Sequence, residues 1–140
     1  MLEYILKVRL KAMKKIYDEI LKRFPEVQVD QENIELPYLM MREIVSWLNS
    51  RETDCTSPGI VKRVVDFKKW CENQESGQSA ADDIWTIFTV SFFEPLFGNK
   101  KTQSLISYLT SRKEMIENNK YLISWIGKEN YDAVLRNIKK

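Results

Sequence analysis

The chain reads as all-α: a single-domain bundle, or stacked antiparallel helix pairs, of six or seven helices around a central apolar helix over residues 80–97. Three observations predict this. Residues 84–97 are apolar on nearly every side and carry one charge, Glu94, and a helix that is apolar all round has to be surrounded by other helices. The stretches before and after it repeat apolar residues at helical spacing, so the chain carries the neighbours that such a helix needs. Only four glycines are present and no period-two alternation survives beyond a few residues, so hairpins and strands have no signal.

The first helix is marked by Leu2, Leu6, Leu10, Met13, Tyr17, Ile20 and Phe24, with Ile5, Ile16 and Leu21 widening the stripe. Pro25 ends it, because proline disfavours helix in the residue before it and has no donor to continue the ladder. Residues 26–36 are acidic and mixed, and read as a loop in which Val27 and Val29 alternate like a short extended piece. Pro37 suits a first helical turn, and Tyr38, Met41, Ile44, Val45 and Leu48 follow at helical spacing, with Trp47 beside them. Residues 49–59 are polar and turn-rich. Ile60, Val64, Phe67, Trp70 and Cys71 form the next stripe, which breaks around Gly77.

For the central helix, Ser79 is the expected N-cap, with Asp82 and Asp83 in the first turn where the helix dipole favours acids. Pro95 is expected to bend the helix or end its regular part, and Gly98 and Asn99 to close it. Residues 102–109 read as a short helix. Ser111 is the expected cap of the next one, which carries Met115, Ile116, Leu122, Ile123 and Trp125 and is weakened in its middle by Asn118 and Asn119. Gly127 punctuates, and Tyr131, Val134, Leu135 and Ile138 mark the last helix.

At 140 residues the chain suits one domain, 1–140, large enough for one continuous core. Its longest apolar stretch falls short of the roughly 20 residues that span a bilayer, so no membrane association is expected. The early acid Glu3 and the lack of a compact apolar segment argue against a signal peptide, which makes the cytoplasm the expected compartment. Cys55 and Cys71 are the only cysteines and there is no histidine to complete a zinc set. Two reduced thiols, Cys71 on an apolar face, are the expected state on grounds of compartment; a disulfide is the alternative.

The absence of histidine removes the commonest general base and every triad that uses it, and no glycine-rich phosphate cradle is present. The expectation is a protein that is not an enzyme and uses no cofactor or metal. Among the acids Glu72, Asp82, Asp83 and Glu94, the last matters most. A carboxylate in an apolar helix has to be paired, hydrogen-bonded or protonated, so Glu94 should meet a lysine, an arginine, a tyrosine or a free helix end. The sharper alternatives are a poised acid, or a metal carrier built with Glu72 and Asp82. Most of the aromatic residues should lie in the core; Tyr121 and Trp125 beside the weak helix, and Tyr38 behind Pro37, are the ones placed to anchor a partner.

The net charge of +2 is unevenly spread: residues 1–23 carry +4, 24–56 carry −5, 76–99 carry −3 and 100–140 carry +5. Docked together, such segments would partly neutralise one another. The basic residues of the first helix, Lys7, Lys11, Lys14, Lys15, Lys22 and Arg23, could instead form a phosphate-binding stripe, although no aromatics interleave with them.

The order of motifs is Phe24-Pro25-Glu26 closing the first helix, Leu36-Pro37-Tyr38 opening the second, Phe67 with Glu72 on the third, then Val90-Ser91-Phe92-Phe93-Glu94-Pro95-Leu96, and Ile126-Gly127-Lys128-Glu129 before the last. This order resembles a family of small uncharacterised all-helical bacterial proteins, some of which look like immunity proteins of contact-dependent or polymorphic toxin systems. The resemblance implies a cytoplasmic binder whose partner is a cognate toxin domain, with no catalytic residues. In that setting the acids Glu26, Asp30, Glu32 and Glu35, with Tyr38, are the expected partner-binding surface, since complementary fields would speed association with a basic toxin such as a nuclease. The functional expectation is therefore a non-enzymatic helical protein-interaction domain, in its finer form a toxin-neutralising immunity protein. The alternative is a nucleic-acid-binding or regulatory helical protein that uses the basic first helix.

Overall fold

Helix α1 (Leu2–Arg23) opens the computed structural model, which describes residues 2–29, 36–51, 55–80 and 82–138. Among the described residues all regular structure is helical. Of the stripe that predicts α1, Ile16, Ile20 and Phe24 are buried, with Ala12 beside them, whereas Leu10 and Leu21 are exposed. Pro25 stops the helix as expected. Helix α2 (Pro37–Ser50) starts on its proline and buries Met40, Met41, Ile44, Val45 and Leu48. Helix α3 (Pro58–Glu72) does the same with Ile60, Val64, Phe67 and Cys71.

The central helix is enclosed by its own chain, but it begins later than Ser79 and is not regular throughout. Helix α4 (Ile84–Phe88) is capped by Asp83, whose carboxylate accepts from the Thr86 N–H at 3.0 Å. Residues 77–80 and 82–83 are instead drawn together by side chains that compete with helix for backbone donors. Gly77 N–H donates to Asp83 Oδ1 at 2.8 Å and Ser79 N–H to Asp82 Oδ1 at 2.7 Å, and the helix cap is Asp83 rather than the expected Ser79. Gly77 is required there, because a Cβ would lie 2.5 Å from the Asp83 backbone nitrogen. The Tyr38 hydroxyl of α2 ties the same residues down through the Ala80 carbonyl at 2.6 Å.

Past α4 the helix widens into a π turn (Thr89–Phe93) and returns to α geometry as α5 (Glu94–Leu96). The Glu94 N–H reaches back five residues to the Thr89 carbonyl. Pro95 supplies the reason: its ring cannot donate to the carbonyl four residues earlier and would collide with it, and a wider turn just before the proline gives the ring room. The sequence predicts that Pro95 bends the helix or ends its regular part; regular α geometry gives way to the π turn just before the proline and resumes over Glu94–Leu96.

Residues 102–109 form part of two short helices, α6 (Lys100–Gln103) and α7 (Ile106–Leu109), rather than one. The buried Thr102 hydroxyl turns back to the Leu96 carbonyl at 2.9 Å and anchors the break. Helix α8 (Arg112–Glu117) has the expected Ser111 cap, completed as a capping box by Glu114. Asn118 separates it from α9 (Asn119–Ile126), and Gly127, at φ 85°, separates α9 from α10 (Lys128–Asn137). That left-handed angle suits glycine alone at low cost.

The π turn packs on α2, α4 on α2 and α3, α5 on α9, and α7 on α3. At the centre, the Phe67 ring of α3 meets Phe24, Phe88 and Phe92 edge-on with centroids 5.6–5.9 Å away, and stacks on Trp70 at 6.2 Å. Each such contact adds about 0.5–1.5 kcal/mol to the value of burying the ring. Cys55 and Cys71 are both fully buried and unpaired by a disulfide; burial pushes the Cys71 thiol well above its ordinary range.

Two outcomes are expected. Phe67→Ala should lower unfolding free energy by about 3–5 kcal/mol in urea titrations, because four neighbouring rings cannot all close on the space it leaves; a loss under about 1 kcal/mol would contradict the central place given to this ring. Neither thiol should react with a chromogenic disulfide reagent in the native state, and both should react once urea unfolds the chain.

Candidate functional site

The feature best suited to binding is a groove of about 320 Å³ between the α3–α4 side of the bundle and α8–α9. Trp85 and Phe93 stand on one wall, Tyr121 on the other, and Lys68, Glu72 and Glu114 bring charge to it. Its size lies at the lower end of the range for ligand-binding clefts.

The two aromatic rings at the groove are exposed yet held rigidly. Trp85 stacks on Phe88 with centroids 5.4 Å apart and planes 14° apart, and Phe88 stacks in turn on Phe92 at 5.0 Å. Positions 85, 88 and 92 fall on one helical face, so the stack follows from sequence spacing once the helix forms. Phe92 and Phe88 are buried, whereas Trp85 is 40% exposed. One face of the indole is covered by Phe88.

Tyr121 is 45% exposed, but its hydroxyl end points inward and donates to Glu94 Oε1 at 2.8 Å. Here the sequence-level question about Glu94 finds its answer: the buried carboxyl is satisfied by a tyrosine. Burial raises the Glu94 pKa above its ordinary value, and the Tyr121 hydrogen bond only partly offsets this. Burial, with the hydrogen bond and the charge of Glu94, pushes the Tyr121 hydroxyl up to about 12. The phenol therefore stays a donor across the physiological range and the ring direction is set by the bond. Trp125, 63% exposed, lies beyond Tyr121 with ring centroids 6.2 Å apart and extends the aromatic surface along α9.

Of the acids expected to face a partner, Asp30, Glu32 and Glu35 lie outside the described residues. Glu26 is held by Arg63 across a 2.6 Å ion pair, and the Arg63 hydrogen bond lowers its pKa. Its charge is thus met within the chain. Tyr38 spends its hydroxyl on Ala80. The acids Glu72, Asp82 and Glu94 do not converge: Glu72 pairs with Lys68 at 3.3 Å, Asp82 accepts from Ser79, and Glu94 accepts from Tyr121. Among the described residues no group of three or more metal-ligating side chains comes together, and no helix is long and apolar enough to cross a membrane. On α1, Lys7, Lys11, Lys14, Lys15 and Lys22 are exposed, and Arg23 pairs with Glu19 at 2.8 Å.

Tyr121 and Trp125 were legible as anchor candidates; Trp85 was not, because its place in an apolar run reads as core. Its signal is position, one residue into the helix behind Asp82 and Asp83, where the polar turn leaves the outer side of the first turn uncovered.

Comparison of the chain with protein-family models, curated proteins and solved structures yields no significant match.

A carboxyl whose pKa is raised by folding binds protons more readily in the native state. Its favourable contribution is complete below the unfolded value of 4.5 and is lost as pH rises through the folded value. Glu94→Gln keeps an acceptor for Tyr121 and carries no charge. Its stability relative to the native chain should therefore increase between about pH 4 and about pH 7 in urea titrations, and a difference independent of pH would contradict the raised pKa.

Proposed function

We propose that this chain is a non-enzymatic helical protein-interaction domain that grips its partner at the groove between Trp85 and Tyr121. The observation that carries the reading is that both exposed rings are fixed from beneath by core residues, Trp85 by Phe88 and Tyr121 by Glu94. Rigid, partly exposed tryptophan and tyrosine side chains are the commonest anchors of protein interfaces. Rings already held in place lose little conformational freedom on binding, so more of the contact energy survives as affinity.

The finer form of the proposal, a bacterial toxin-neutralising immunity protein acting in the cytoplasm, is supported by the resemblance of the motif order from Phe24-Pro25-Glu26 to Ile126-Gly127-Lys128-Glu129. In that form the partner is a cognate toxin domain.

The test is affinity capture from the native host with the whole chain, followed by binding of the purified partner to variants. Trp85→Ala and Tyr121→Ala should each weaken that complex by about ten-fold or more, as interface anchors do, with helical circular dichroism unchanged. A partner held equally by both variants would overturn the groove as the docking site. A salt-dependent shift of duplex DNA, abolished by Lys11→Glu, Lys14→Glu and Lys15→Glu together, would favour the nucleic-acid reading instead.

A further inference from the structure

The chemistry of the groove narrows what can enter it. Trp85, 40% exposed, rests on a stack that ends on Phe92 in the core, and Tyr121 lines the same groove. The faces of such rings are electron-rich and attract cations, tryptophan most strongly. Two carboxylates, Glu72 and Glu114, belong to the same groove. The cation that also lines it, Lys68, is turned onto the chain: its ammonium donates to the Leu109 carbonyl at 2.6 Å and pairs with Glu72 at 3.3 Å. With Lys68 and Glu72 matched, Glu114 is left to give the lining its negative sign. Its carboxylate accepts long hydrogen bonds from Ser111, 3.3 Å from the N–H and 3.1 Å from the hydroxyl.

An electron-rich flat face beside an acid suits a planar cation better than a compact one. A guanidinium can stack on indole while its edge donates two parallel hydrogen bonds to a carboxylate, whereas an ammonium is a hydrated point charge that does neither as well. We infer that the groove between Trp85 and Tyr121 receives an arginine side chain presented by the partner, stacked on the Trp85 indole with Glu114 as its counter-charge. The inference rests on the groove being the docking site and adds the chemistry of the residue that docks there.

The test needs no partner. The probe is N-acetyl-arginine amide, titrated into the whole isotope-labelled chain and followed by the indole N–H signals of its four tryptophans. The Trp85 signal should shift and saturate with a dissociation constant on the order of millimolar, as befits one side chain without its protein, while Trp47 and Trp70 stay still. The neutral isostere, N-acetyl-citrulline amide, should bind at least about five-fold more weakly, the loss expected for one cation–π contact, and N-acetyl-lysine amide should fall between them. Glu114→Gln preserves the cap of α8 and should weaken arginine binding several-fold while leaving citrulline binding unchanged.

Equal binding of arginine and citrulline probes would overturn the cationic occupant, and equal binding of arginine and lysine probes would overturn the planar one. No movement of the Trp85 signal with any probe would also overturn the inference. Each of these results stands apart from the docking-site reading, which is judged by partner binding to Trp85→Ala and Tyr121→Ala.

Discussion

The packing of four aromatic rings around Phe67 is the constraint on which this bundle depends. That ring touches Phe24 at the end of α1, Trp70 one turn along α3, and Phe88 and Phe92 on the central helix. Elements far apart in sequence therefore meet on one side chain with no exposed surface. Edge-to-face contacts are directional, so they specify angles between helices as well as rewarding burial. A core of aliphatic side chains would gain similar transfer energy and constrain those angles less.

The groove inherits its rigidity from that packing. The stack from Phe92 through Phe88 to Trp85 carries order from the centre of the bundle to its surface, so the position of the exposed indole is decided by buried rings beneath it. On the facing wall the same result is reached with polar chemistry. Glu94 sits inside the apolar helix, and its carboxyl accepts the Tyr121 hydroxyl and fixes the ring. Keeping an acid there is unfavourable at neutral pH, and an apolar residue of similar size would serve stability better. What it provides in return is a fixed orientation of the Tyr121 ring.

The bonds of Gly77, Asp82 and Asp83 and the π turn decide where the central helix starts and which way it faces. Gly77, Asp82 and Asp83 hold the start at Ile84, and Pro95 forces an extra residue into the turn before it. That residue rotates everything beyond it relative to Trp85, and so sets how Phe93 and Glu94 stand against α9. Thr89 and Phe93, at the two ends of the π turn, both line the groove.

Local rules carried most of the architecture. Helical spacing of apolar residues located α1, α2 and α3, Pro25 marked the end of the first and Pro37 the start of the second, Ser111 announced a cap, and Gly127 a break, because each of these is decided by the residue and its immediate neighbours. The all-round apolar character of residues 84–97 also required enclosure, whichever helices supplied it. What local rules could not decide is how a residue's environment changes once distant segments meet. The spacing that places Trp85 in a stack does not say that the bundle stops short of covering it. The charge of Glu94 demands a partner without choosing Tyr121, 27 positions away, and Glu26 reads as a free acid until Arg63 is brought against it. Sequence determined which surfaces had to be buried; only the tertiary structure decided which aromatic rings remained at the edge of that burial, because exposure is a property of the whole assembly of helices and of no one of them.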